Sequence, residues 1–410
     1  MKIRFLLFTL SITLGTRLMS QEAARVQPII CHHDHSDQAS FVPPQQVQLR
    51  SAAVSDFVFN FERDVPTQAR EAMEYAASIW EQYLISEVPI NIDVTWQSFE
   101  EDNVLASAGP TTIYRDFSFQ ALRGVWYPVA LAEAIAGTPL NEEEADIQIT
   151  VNSELNWYFG TDGRVPFGRT DLVSVVLHEL GHGLGYISSA DVNDSNLGEL
   201  GFDGRTIIYD EFITTLNGEF ITDISTFQRP STDLRTAYTS TNLFFDAPEV
   251  DDFIGRNRGA ELHAPRSFDS GSSISHLDEF TFPAGSENAL MTPSLSFREA
   301  VHDPGPVGLG ILQAMGWEIA QATVTSTAQI QVEEVSVFPN PTRDQVRIVW
   351  PQDFPNEMNY QLYDQLGRTL LNGNITQQDQ INLSQLPPGN YHLFLQAEER
   401  QFRTQIILVE

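Results

Sequence analysis

Residues 170–185 read TDLVSVVLHELGHGLG, and the rest of the chain is best read outward from them. Leu172, Val173, Val175, Val176, Leu177 and Leu180 place apolar side chains on more than one side of a helix, so the spacing predicts a buried one. Thr170 and Asp171 can cap its start, and Gly185 can end it in a sharp turn. Gly181 and Gly183 are poor helix residues, each costing ~1 kcal/mol relative to alanine. Their presence predicts neighbours packed closely against the helix. Within it stands His178-Glu179-Leu180-Gly181-His182. Residues four apart share a helix face, so both imidazoles can reach one metal ion. Neutral imidazole binds zinc well, at ~2.0–2.1 Å. Glu179 is offset by ~100° around the axis. That places it beside the ion, where a carboxylate can accept a proton from water.

Upstream, Phe57, Phe59 and Phe61 alternate as a half-buried strand. Pro66 suits the first turn of a helix, with Asp64 as its cap. Ala69, Ala72, Met73, Ala76, Ile79, Trp80, Tyr83 and Leu84 mark one face of that helix. Further strands are expected at Ile90, Ile92, Val94, Trp96 and at Ile147, Ile149, Val151, giving a mixed sheet with helices. Residues 147–151, or the following 152–159, are the expected edge for substrate strand addition. Between residues 186 and 275 lies an acid-rich insert with a hairpin signal at Asn217-Gly218. Asp162, Asp203, Asp210 and Glu211 offer oxygen ligands suited to calcium. A solvated acidic surface is the other reading.

The chain of 410 residues carries 55 Asp+Glu against 23 Lys+Arg, a formal charge of -32, and that balance excludes a phosphate-tracking nucleic-acid binder. With 42% hydrophobic and 19% charged residues, it has enough apolar content for packed cores. Lys2 and Arg4 precede the apolar run 5–14, which reads as a secretory signal over residues 1–20. The run is too short to span a bilayer, which needs ~20 residues. No other stretch suggests a transmembrane segment in the mature chain. Beyond a small, polar linker at 322–334, short β-type runs separated by turn signals predict an all-β sandwich over 335–410. The expected fold class is therefore α+β, with a pro-like segment at 21–51 and the main domain at 52–321. Cys31 is the only cysteine, so no intrachain disulfide can form.

The runs VFPNPTRDQVRI, YQLYDQLGRTLL and INLSQLPPGNYHLFL resemble the type A sorting domain of type IX secretion cargo. The resemblance implies a partner in that secretion machinery and a destination outside the cell or on its surface. The extended motif H-E-x-x-H-x-x-G resembles the metzincin metallopeptidases. In most of these a third His or Asp follows three residues after the glycine; here Ser188 stands there, a poor zinc ligand. The later histidines are His263, His276, His302 and His392. The motif, the long insert, His276 in SSISHLDEF and Met291 in ALMTPSL together resemble the leishmanolysin family. That resemblance implies His276 as third ligand, with His263 and His302 as alternatives, and Met291 as the Met-turn beneath the metal. Ser275 or Asp278 would fix the second ring nitrogen of His276. Residues 305–317 resemble the helix that closes such peptidases.

The implied protein is a secreted zinc endopeptidase with a metzincin-like catalytic domain acting on protein or peptide substrates. Its rival is an inactive surface adhesin or glycan-binding protein on the same scaffold. Cys31, in Ile30-Cys31-His32-His33-Asp34, is close to the Cys-His segment of leishmanolysin propeptides and is a candidate latency switch, its thiolate on the open zinc position. A free N-terminal thiol or a His-rich metal tract are the alternatives.

Overall fold

The computed structural model describes residues 22–45, 48–49, 55–141, 144–254, 258–320, 322–323, 336–340, 342–349, 357–363, 369–376, 379–387, 389–397 and 400–408. The signal at 1–20 and most of the linker lie outside them. The chain divides into two compact units, Met1–Thr323 and Val324–Glu410.

The first unit is α+β. Its main elements are β1 (Glu22–Ala24), β2 (Ile29–Val42), β3 (Phe57–Phe61), α1 (Thr67–Trp80), β4 (Ile90–Gln97), β5 (Val104–Pro110), β6 (Ile113–Arg115), α2 (Val129–Ala136), β7 (Ile147–Asn152), α3 (Leu172–Leu184), β8 (Ser294–Val301) and α4 (Gly305–Met315). Six strands form one sheet in the order β8-β2-β5-β7-β4-β3. β3, β4 and β7 run parallel, with Phe59 beside Ile92 and Ile149 beside Val94. β5 reverses direction, pairing antiparallel with both β7 and β2.

Helix α1 buries Ala69, Ala72, Met73, Ala76, Ile79 and Trp80, the face marked by its periodicity, while Tyr83 and Leu84 fall beyond its end. Its N-cap is Pro66 with no side-chain cap, so Asp64 does not serve there. Every residue of α3 is buried. Each buried Leu or Val contributes ~1.5–3 kcal/mol, which offsets the poor propensity of its glycines. Those glycines are close approaches: a Cβ on Gly181 would lie 2.6 Å from Met291 Sδ, and one on Gly183 2.5 Å from Ile147 Cγ2. The Trp80 indole locks the two helices together by donating to Leu177 O at 3.0 Å.

The segment expected to be pro-like supplies an internal strand: β2 lies between β5 and β8, with Cys31 beside Ala106 and His32 beside Ser294. One expectation changes. The first expected substrate edge, β7, has both its sides paired and is not free to add a strand, whereas Trp157–Tyr158, in the alternative at 152–159, pairs along one side with Thr170–Asp171.

The insert folds into short pieces: a 3-10 turn at Ile208–Phe212, helices Thr232–Tyr238 and Pro248–Ile254, and a three-stranded sheet of Ile213–Thr215, Leu243–Phe245 and Ala260–Glu261. The Asn217-Gly218 turn forms as expected, with Gly218 N donating to Thr215 O and Thr215 N to Glu219 O.

The second unit contains β9 (Ser336–Phe338), β10 (Gln345–Val349), β11 (Glu357–Tyr363), β12 (Thr369–Thr376), β13 (Gln380–Asn382), β14 (Gly389–Ala397) and β15 (Arg400–Leu408). They form sheets β9-β10-β13 and β12-β11-β14-β15. Val346, Ile348, Leu362, Leu393 and Ile406 join one core. Asn372 and Gly373, residue types that often mark a turn, lie inside β12, opposite Gln361 and Tyr360.

Candidate metal centre

Helix α3 carries two of the three histidines that meet in the core. Asp171 caps it, accepting from Ser174 N at 2.9 Å. One turn apart on α3, His178 and His182 bring their Nε2 atoms within 3.0 Å. His276 arrives from the end of the insert, its Nε2 3.2 Å from that of His182 and 3.3 Å from that of His178. All three are buried.

Each ring is oriented by a backbone carbonyl. Nδ1–H of His178 donates to Leu290 O at 2.6 Å, that of His182 to Tyr186 O at 2.6 Å, and that of His276 to Ser272 O at 2.7 Å. A carbonyl only accepts, so the proton sits on Nδ1 and the three Nε2 lone pairs point together. Burial pushes the pKa of each ring down, His178 to about 4. The rings are thus held neutral, the form that ligates. Tetrahedral nitrogens at ~2.0–2.1 Å from a metal stand ~3.3–3.4 Å apart. The observed spacing fits that geometry closely.

Glu179 is fully buried, and neither of its carboxylate oxygens has a protein partner. Burial drives its pKa well up. Ligand atoms of Glu179, His178 and Cys31 lie within 4.8 Å of one another. An orphaned carboxylate beside three converging lone pairs is costly without a cation or a proton donor between them. The donor set therefore fits a metal ion.

Cys31 reaches this point because β2 carries it there. Its thiol is 2% exposed, and its pKa is raised by burial and by the carboxylates of Glu179, Glu299 and Glu279. Met291 is buried with its sulfur against Gly181, and Met291 O accepts from Leu277 N at 2.8 Å, one residue after His276.

The alternatives for the third ligand are placed elsewhere. His302 donates from Nε2 to Asp171 at 2.8 Å beneath the start of α3. The backbone of His263 pairs with His276, N to O at 2.8 Å, but its ring is not in the cluster. Neither Ser275 nor Asp278 holds the His276 ring: Ser275 Oγ accepts from Ser188 N at 3.0 Å, and an Asp278 oxygen from Thr281 N at 2.8 Å. The candidate calcium residues, Asp162, Asp203, Asp210 and Glu211, form no shared ligand group among the described residues. Asp210 is buried among serines, Glu211 accepts from Thr206, and Asp162 accepts from Tyr158 at 2.5 Å. Among the described residues, the groups close enough to share an ion are the three histidines and Cys31 with His178 and Glu179.

Fold and site together define an α+β protein whose buried three-histidine cluster can hold a metal, followed by an all-β domain. Residues 336–410 match the secretion system C-terminal sorting domain. The chain is a cargo of type IX secretion and is delivered outside the cell or to its surface. No helix among the described residues is long and apolar enough to cross a membrane. Residues 54–251 match a family described as SPBPB7E8-like, a span that includes His178, Glu179 and His182 and stops before His276 and Met291. The chain is also similar to the uncharacterised protein PB7E8.01 of Schizosaccharomyces pombe, 28% identical over 139 residues. That alignment covers 29% of this chain and 24% of the relative.

Proposed function

We propose that the first unit is a zinc-dependent endopeptidase of metzincin type, resembling leishmanolysin, that hydrolyses extended protein or peptide substrates. The observation that carries this reading is the convergence of three Nδ1-protonated histidines beside an unpartnered buried glutamate. His178, His182 and His276 would hold the ion. Bound zinc supplies Lewis acidity to the scissile carbonyl and to water. Glu179 takes a proton from the attacking water and returns it to the leaving amine. Met291 supports the floor of the site by packing against Gly181.

The place of β2 supports the latency reading for Cys31. This strand covers the edge of β5 and brings a thiol within reach of the ligands. A Cys31 thiolate bound to the ion would occupy the position that water needs. Once the strand leaves, β5 is the open edge for an extended substrate.

The test is zinc content and cleavage of an unfolded protein by the full chain, before and after processing. Wild type should bind one zinc and cleave after processing. Glu179→Gln should retain zinc and lose ~10²–10⁴-fold in rate. Cys31→Ala should be active before processing. A zinc-loaded, processed wild type that cleaves nothing would instead favour the inactive adhesin.

A further inference from the structure

The metal reading gives no task to the carboxyl of Asp210, which is fully buried. It lies in the 3-10 turn Ile208–Phe212 of the insert. Ser188 Oγ donates to Asp210 Oδ1 at 2.7 Å, Ser189 N at 3.2 Å, and Ser189 Oγ donates to Oδ2. Ile207 N adds a contact at 3.4 Å. Burial nonetheless raises its pKa, to about 6.

These partners lie in the turn that follows α3, and that turn touches two ligands. Tyr186 O accepts from His182 Nδ1 at 2.6 Å. Ser188 N donates to the Oγ of Ser275, the residue before His276, at 3.0 Å. Next to Asp210, the Tyr209 hydroxyl donates to Ile274 O at 3.2 Å. Ile274 has φ 73. A β-branched residue stays in that left-handed region only where its surroundings over-determine it. Ser188 therefore occupies the place of a compact-motif ligand and does a different job. It joins a buried acid to the segment that delivers the distant ligand.

We propose that Asp210 is a positioning residue of the metal centre, clamping residues 186–189 so that His182 and His276 keep their Nε2 atoms on one point. The inference rests on the metal-binding reading. An ionised carboxylate suits the task because it only accepts and has room for several donors. Asparagine would turn an NH₂ toward hydroxyl and amide donors.

The experiment uses the full chain and cobalt(II) or zinc alone as probe. Affinity is measured by chelator competition, geometry by the visible spectrum of the cobalt form, and stability by melting of the metal-free form. Asp210→Asn should weaken binding by ~10–100-fold, the range for partners that orient metal ligands, and alter the cobalt spectrum. Ser275→Ala should move both readouts in the same direction with little change in metal-free melting, and Ser275→Thr, which keeps the hydroxyl, should restore them. If Asp210→Asn does not fold, the Ser275 pair decides. Wild-type affinity and spectrum in the variants, with only lower melting, would overturn the positioning role and leave the metal site standing. Failure of the wild type to bind either metal would remove the metal reading itself.

Discussion

Two of the three histidines ride on a helix and one on an irregular segment, and the two regions reach the same accuracy by different means. On α3 the helical repeat alone sets His178 and His182 one turn apart, and burial on all sides keeps the helix in place. His276 has no repeat to rely on. It is fixed by cross-links from four directions: His263 N to its own carbonyl, Leu277 N to Met291 O, Tyr209 to Ile274 O, and Ser275 to Ser188. A ligand on a helix is positioned by its neighbours in sequence. A ligand on a loop is positioned by residues scattered along the chain, so it can be disturbed from far away.

The contrast can be broken most severely at the loop ligand itself. His276→Ala leaves only the helical pair, and metal affinity measured by chelator competition should fall by more than the ~100-fold expected at most from a lost orienting hydrogen bond. A smaller effect is expected from Gly181→Ala, where the new methyl would sit 2.6 Å from Met291 Sδ. Overpacking of this kind costs ~1–3 kcal/mol, read as a lower melting temperature. Combining it with Met291→Ala should recover part of the loss, and strict additivity would show that the two regions do not press on each other. The smallest effect concerns pH. Glu299 on β8 is buried, near Glu279 and Asp34, and its pKa rises from 4.5 to about 7. Between those values the folded chain holds the proton more tightly than the unfolded chain, so this contribution is present below 4.5 and is lost as pH rises through about 7. Glu299→Gln should flatten that part of the decline, by a few degrees of melting temperature between pH 5 and pH 8. An unchanged slope would count against it.

Helix α3, its Asp171 cap, helix α1, strands β3, β4 and β7, and most strands of the second unit were legible in the sequence, because each has a period, a cap or a flanking turn. His178, Glu179 and His182 were legible for the same reason. β5 was not: its residues, VLASAGP, are small, end in proline and show no alternation. Every one of them is buried, so nothing on the strand distinguishes an inner from an outer face. β2, within the segment expected to be pro-like, was not legible as a strand either: its run of His and Asp shows no apolar alternation, and Asp34 and Asp37 are exposed. The part of Asp210 was hidden for a further reason. Its significance depends on Ser188, Ser189 and Ser275, which share no local pattern with it. The carbonyl partners of the histidine rings, at Leu290, Tyr186 and Ser272, belong to the backbone and leave no mark on residue type.

The strand order β8-β2-β5 also governs when the molecule can be completed. Ser36 on β2 and Ser296 on β8 meet at 2.7 Å although 260 positions separate them. Closing so long a loop costs entropy before the contact returns any stabilisation, and non-local strand pairing of this kind slows folding. β3, α1 and β4 are neighbours in sequence and can assemble early, whereas the join between β2 and β8 must wait for almost the whole first unit. His276 and Met291 lie just ahead of β8, so the third ligand belongs to the late-arriving part. The helix that carries His178 and His182 can thus be formed well before the histidine cluster is complete.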